Sequence, residues 1–294
     1  MFIRRATQAF ERRSIAPGIV HANDHLEGIL SYRLAKAIGA HSAIFLRSSA
    51  MTSSDFFKYQ CDKYEMIFAV GKELYGRVRT WLPDRPIELI HDGLAEDDFS
   101  PVRPHSTEKP RQVLVIGSAQ ELKGWRDFFA ALRILARGDS LPPVTFDLTG
   151  SQPPLDGEDA ELKRLVAERC RFLGRVESFK DLVRSYELVI NPSRMESFGM
   201  AAMETLAAGV PLLSSRTGAI EDIQGQAHML FSPSNPASLA QAMQYIFAQW
   251  PYIDFGVAQA QANIRSRFTI DRTVIQLLNA YQQLVKNSAA TGSA

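Results

Sequence analysis

The chain has 294 residues, a formal net charge of +1 and 46% hydrophobic residues. That length accommodates two domains with ordinary buried cores, and the balanced charge makes no electrostatic case for nucleic acid. Cys61 and Cys170 are the two cysteines and form no pair motif, so they read as reduced thiols of a cytoplasmic protein rather than a disulfide framework.

The first residues, "MFIRRATQAFERR", put Phe2, Ile3, Ala6, Ala9 and Phe10 on one helical face, with Arg4, Arg5, Arg12 and Arg13 elsewhere. Two readings stand: a surface helix packed on its own domain, or a helix docked on anionic lipid. It has no apolar core of a secretory leader, and no run in the chain reaches the ~20 apolar residues that cross a bilayer. "GIVHAND" is a short strand ending in polar residues, and "LEGILSYRLAKAIGA" follows with helical period and a stop at Gly39. "SAIFLRS" is a strand, "MIFAVGKELYGRVRTWL" a strand running into a helix, and "IELIHDGL" a strand with a turn. The polar, proline-bearing stretch from Glu96 to Arg111 is the best linker.

A second series opens with "QVLVIGSAQELKGWRDFFAALRILARG". Strands at Val144–Leu148, Arg171–Leu173, Leu188–Asn191 and Pro211–Ser214 alternate with helices. Alternation of this kind means parallel sheets covered by helices on both faces. The expected fold is α/β with two Rossmann-like domains, the first incomplete, and C-terminal helices packing back toward it. Boundaries are expected at 1–104, 105–255 and 256–287, with a disordered tail over 288–294.

Ligands of such sheets bind beyond the C-terminal strand ends, where helix N-termini point amides outward. "LVINPS" is such a strand, and "RMESFG" the loop before a helix starting near Phe198 or Gly199. Glu196 and Glu204 flank that helix start. Eight residues of helix span about 12 Å. A ligand crossing the start meets a carboxylate at each end and N–H donors between. Carboxylates accept from hydroxyls, so an anion between two polyols fits, as in a nucleotide sugar. The other reading of the spacing is that Glu196 completes the helix start and Glu204 is a solvated or salt-bridged residue. Met195, Met200 and Met203, and the Trp125, Phe128 and Phe129 group, read as core packing.

"INPSRMESFGMAAMETLAAGVPLLSSRTGAIEDI" resembles the E-x7-E region of the family 4 (group 1) retaining glycosyltransferases, which have the GT-B fold. "FLGRVESFKDLVRSYELVINPS", "GSAQELKG", "IELIHDGLAEDDFSP" and "IVHAND" resemble that family's neighbouring segments, so the likeness runs from about Gly18 to Leu284. It implies that Glu204 holds the ribose hydroxyls. It implies that Glu196 contacts the transferred sugar, with Phe198, Gly199 and Met200 offering backbone donors. Lys123 would hold the diphosphate beside the loop of Gly117 and Ser118, and Arg175 and Val176 would border the base. Catalytic roles fall to Lys123 and Glu196. No metal and no cofactor is implied; the nucleotide sugar is the substrate. The partner would be a glycan or lipid-linked acceptor of cell-envelope polysaccharide or lipopolysaccharide synthesis, reached at the inner membrane face.

This sequence departs from the family pattern in three places. Ser118 stands where the family has an arginine, leaving Arg126, Arg194 or Arg216 as the substitute phosphate cation, Arg194 first. Asn23 stands where a histidine faces the sugar, so Asn23, Asp24 and His25 are the acceptor-side candidates, while His21 reads as strand packing. The family's glycine-rich first loop has no counterpart, so the first domain needs a cover: a partner chain, a membrane surface or packing on the second domain. The alternative function is a nucleotide-sugar-binding protein that transfers nothing or needs a partner.

Overall fold

The computed structural model describes residues 2–102, 112–117, 119–141 and 143–291. The described chain divides into two compact units: residues up to Gly93 together with those from Ile270 onward, and Leu94–Thr269.

The first unit runs α1 (Phe2–Arg12), β1 (Ile19–Ala22), α2 (Gly28–Ile38), β2 (His41–Leu46), α3 (Ser53–Lys58), β3 (Met66–Ala69), α4 (Lys72–Trp81) and β4 (Glu88–Leu89), and closes with a C-terminal helix, Ile270–Thr291. Its four strands lie in the order β1-β2-β3-β4 and all pair in parallel. Ser42 to Leu46 of β2 are buried throughout, as a central strand covered on both faces requires. α3 escaped the sequence reading. It is a short helix held by a capping box, in which the Thr52 hydroxyl accepts from the Asp55 amide and the Asp55 carboxylate accepts from the Thr52 amide. The C-terminal helix packs on this unit: the Thr273 hydroxyl donates to the His91 carbonyl (2.7 Å) and Tyr281 meets His21 Nδ1 (2.5 Å). His21 packs between Phe45, Phe68 and Tyr281, and burial pushes its imidazole below the usual range. It is a packing residue, as expected.

The second unit runs β5 (Gln112–Val115), α5 (Trp125–Arg137), β6 (Thr145–Leu148), α6 (Ala160–Arg169), β7 (Cys170–Phe172), α7 (Phe179–Val183), β8 (Leu188–Asn191), α8 (Met200–Ala207), β9 (Leu212–Ser215), α9 (Ile220–Ile223), β10 (Leu230–Phe231), α10 (Pro236–Gln249) and α11 (Val257–Arg267). Its six parallel strands lie in the order β10-β9-β8-β5-β6-β7. From β5 the chain builds outward to β6 and β7, then returns to β8 on the other side and continues to β9 and β10. That is the doubly wound order with its switch point between β5 and β8. Trp125, Phe128, Phe129, Phe146, Ile190 and Trp250 are among the residues of the core beneath it.

The division at Gly93 precedes the expected boundary at 104. Leu94 pairs with Thr269, and the Ser100 amide donates to the Ala207 carbonyl (2.8 Å), so the segment after Gly93 is stitched to the second unit. The expected block 256–287 likewise divides. The Gln261 side-chain Nε2 of α11 donates to the carbonyls of Leu206 (3.1 Å), Ala207 (3.0 Å) and Ser100 (2.9 Å), while the C-terminal helix belongs to the first unit. That helix continues to Thr291, past the expected start of the tail at 288.

Candidate functional site

The switch point puts the loop after β5 beside the loop after β8. The Ile116 amide donates to the Ile190 carbonyl (2.8 Å), and the Arg194 amide to the Leu122 carbonyl (2.8 Å). Gly124 permits this approach. Its φ of +69° is left-handed, and a Cβ there would lie 1.8 Å from the Pro192 carbonyl oxygen, so only glycine fits. The result brings Lys123, next in the chain, onto the β8 loop.

Lys123 Nζ donates to Glu196 Oε1 at 2.8 Å. The same oxygen accepts from the Ser193 hydroxyl at 2.7 Å. Ser193 is fully buried; its hydroxyl also meets Asn191 Oδ1 (2.8 Å), and the Ser215 hydroxyl donates to its carbonyl (2.5 Å). One oxygen of Glu196 is therefore fixed. Oε2 takes no donor among the described residues, and two N–H groups of Lys123 stay uncommitted there. The pair is partly shielded, with 31% of the lysine and 16% of the glutamate side chain exposed.

α8 starts behind this pair, with Gly199 as its N-cap at φ +97°. The amides of Ala202 and Met203 both donate to the Gly199 carbonyl (3.1 Å each), so those of Met200 and Ala201, ahead of them, have no partner within the helix. The Phe198 ring is buried against Phe268 (5.4 Å between centroids) and its carbonyl accepts from the Ala219 amide (2.9 Å).

Glu204 lies one turn into α8 and differs from Glu196. Its carboxylate has no hydrogen-bond partner among the described residues. It is half-buried and lines a cavity of about 220 Å³ with Asp98, Ser178, Phe179 and Lys180. Burial pushes its carboxyl above the ordinary range; the neighbouring Asp98 charge adds to this and Lys180 opposes it. The Lys180 ammonium is held by Asp98 Oδ1 (2.9 Å) and the Asp97 carbonyl (2.6 Å). Sequence reading passed over Asp98, Ser193 and Lys180; the two strand-loop junctions and the turn at Ser178 were the signals.

Arg194 does not project from the loop as a spare cation. Its guanidinium clamps Asp127 at the start of α5 with two bonds (2.6 and 2.9 Å) and reaches Glu121 (3.2 Å). Arg126 bonds Glu121 and Glu158, and Arg216 bonds Glu221. Gly117 is turned onto the loop after β6: its amide donates to the Thr149 hydroxyl, which donates back to its carbonyl, each at 2.9 Å. Ser118 lies outside the described residues. Gly150 and Gly174 exchange two backbone bonds (2.8 and 3.0 Å), which sets Arg175 and Val176 at the ends of β6 and β7.

The first unit gathers the other candidates at the ends of β1, β2 and β4. Arg47 Nε donates to Asn23 Oδ1 (3.0 Å), its amide donates to Asp24 Oδ1 (3.2 Å), and its Nη1 pairs with Asp92. His25 is buried, donating from its amide to Asp24 (2.7 Å) and stacking edge-on against Tyr59. Arg47 and Asp92 were missed in sequence, where "LRSS" and "IHDG" offer no spacing signal. Among the described residues no group of three or more His, Cys, Asp or Glu is arranged to hold a metal ion. None of their helices is long and apolar enough to cross a membrane.

Residues 110–249 match the family model described as glycosyl transferases group 1. Over 281 residues the chain is 28% identical to glycogen synthase of Mycobacterium tuberculosis, covering 88% of this chain. The match spans 66% of that enzyme's own length, just short of two thirds. Sucrose-phosphate synthase of Thermosynechococcus elongatus superposes with a TM-score of 0.73 over 97% of this chain and 78% of its own, at 19% identity. The chain is related to the GT-B-fold glycosyltransferases. HepE of Anabaena, solved with UDP and glucose, has the same fold, with a TM-score of 0.73, 16% identity, and coverage of 90% of this chain and 77% of that one. The matched family segment contains the switch-point loops, Lys123, Glu196 and Glu204.

Proposed function

We propose that the chain moves a sugar from a nucleotide-sugar donor to a glycan or lipid-linked acceptor with retention, in cell-envelope polysaccharide or lipopolysaccharide synthesis. The observation that carries this reading is Glu204: a half-buried carboxylate with no partner among the described residues, one turn beyond a helix start and lining a cavity. Its carboxylate oxygens are open to the cavity, where they can accept from the hydroxyls of a ligand. Ribose hydroxyls supply the missing donors.

The rest of the donor follows the same line. Its diphosphate meets the free amides of α8 and the two uncommitted N–H groups of Lys123. The transferred sugar meets Glu196 Oε2, whose other oxygen Lys123 and Ser193 hold still. In the transfer, the bond between the anomeric carbon and the phosphate oxygen breaks. The acceptor hydroxyl oxygen bonds to that carbon, and its proton passes to the departing diphosphate. Lys123 stabilises the charge that develops there, so this reading asks for no metal. Asn23, Asp24 and His25 belong to the acceptor side. The work would be done in the cytoplasm at the inner membrane face, where the arginines of α1 suit anionic lipid. A partner chain covering the first unit's sheet stays part of the reading. Support for the donor comes from HepE, the fold neighbour solved with UDP and glucose.

The test is thermal unfolding of the purified chain with UDP-glucose, GDP-mannose, ADP-glucose and UDP-N-acetylglucosamine, since a specific ligand raises stability by mass action. Stabilisation by one, followed by release of its nucleoside diphosphate when glycan or lipid-linked acceptors are added, supports the transferase. Stabilisation without transfer to any acceptor favours a binding protein. No stabilisation by any of them contradicts the donor site.

A further inference from the structure

The cavity beside Glu204 is also lined by residues with a chemistry of their own. The inference here rests on the donor reading above. With the diphosphate at the start of α8 and the ribose on Glu204, the next group of the ligand is the nucleobase. The residues lining the cavity besides Glu204 are Ser178, Phe179, Lys180 and Asp98, and the base placed there would meet them. Its volume of about 220 Å³ is below the roughly 300–1,000 Å³ of a site for a drug-sized ligand, which suits one small ring system. Phe179 is half-buried and offers an aromatic face for stacking.

Lys180 is the cation on the cavity wall. Two of its three N–H groups are committed, one to Asp98 Oδ1 and one to the Asp97 carbonyl. The third has no partner among the described residues. Asp98 is committed on both oxygens, Oδ1 to Lys180 and Oδ2 to the Ala95 amide (2.8 Å). The pair therefore holds the ammonium in place and leaves one donor on the wall. We propose that Lys180 is a specificity-determining residue that selects nucleobases with a carbonyl at pyrimidine C4 or purine C6, uracil or guanine, over cytosine or adenine, which carry an amino group there. Uracil O4 and guanine O6 accept from an ammonium. The amino groups of cytosine and adenine at the same position are themselves donors and meet it donor to donor, and a lysine has no acceptor to offer them. Asp98 acts through Lys180 and is a positioning residue.

Calorimetry with UDP, CDP, GDP and ADP tests this. The wild-type chain is expected to bind UDP over CDP and GDP over ADP, each by about tenfold, the worth of one charged hydrogen bond. Lys180→Met removes the donor and keeps the stem; it should lose about tenfold for UDP and GDP, leave CDP and ADP unchanged, and so erase the preference. Lys180→Arg should keep it. Glu204→Gln should weaken all four alike, because every one carries the ribose. Equal binding of UDP and CDP by the wild type, or equal loss of all four in Lys180→Met, overturns the inference alone. Failure of the wild type to bind any of the four overturns the donor reading beneath it.

Discussion

At the residue scale, the two glutamates that flank one helix start do different work. Glu196 is anchored by Lys123 and Ser193; Glu204 carries a charge that its surroundings penalise. The penalty has a sign that can be read. Burial and Asp98 raise the carboxyl of Glu204 above its unfolded value of 4.5, and Lys180 opposes them only in part. The folded chain therefore holds that proton more tightly, and stability is lost as pH rises from the unfolded value through the folded one. Glu204→Gln should melt higher than wild type at pH 7 and match it at pH 3.5, in paired melting curves. The same variant should bind nucleotide roughly tenfold or more weakly at pH 7, since it removes a charged acceptor worth roughly 1.5–3 kcal/mol. A variant that is no more stable at neutral pH, or binds as well, would remove the argument for a ligand-hungry carboxylate. Wild-type nucleotide affinity should fall as pH drops through the raised value, because the ionised form accepts from both hydroxyls.

At the element scale, the site depends on how the β8 loop is tied to the start of α5. Two ties do this: the close approach at Gly124 and the Arg194 clamp on Asp127, whose side chain is only 9% exposed. Arg194→Met should cost about 2–3 kcal/mol by leaving Asp127 unpaired, less than a fully buried pair because the guanidinium is partly solvated. Its nucleotide affinity, measured below the lowered melting point, should stay near wild type. A large loss of diphosphate affinity with unchanged melting would return Arg194 to the role of phosphate cation. Gly124→Ala adds about 1–2 kcal/mol of left-handed strain and a collision with the Pro192 carbonyl. It should lower both the melting temperature and nucleotide affinity, because Lys123 moves with it. Unchanged affinity in a folded Gly124→Ala chain would detach Lys123 from the phosphate.

At the scale of the whole molecule, the sequence disclosed what periodicity and composition control. The alternating strands and helices, the apolar run of Leu188–Asn191 and the helix start near Gly199 were legible because burial on both faces and glycine chemistry leave local marks. The 6 residues of α3 are too few to show a helical period, and its capping box lies in a polar stretch. In the sequence, Pro and charge mark the segment after Gly93 as a linker, while in the structure the Ser100 amide and the Gln261 side chain bind it to the second unit. Arg194 reads in the sequence as a substitute phosphate cation because it abuts the glutamate loop; its partner Asp127 is 67 residues away, a contact no local pattern encodes. The same holds for Arg47 with Asp92, and for Lys180 with Asp98. A crystal structure of the chain with bound UDP tests most directly whether a donor lies across the start of α8. Ribose hydroxyls are expected within hydrogen-bond distance of Glu204, and phosphate oxygens on Lys123 and the Met200 and Ala201 amides. A nucleotide bound away from α8, or one whose phosphates sit on Arg194 with Glu204 untouched, contradicts that placement.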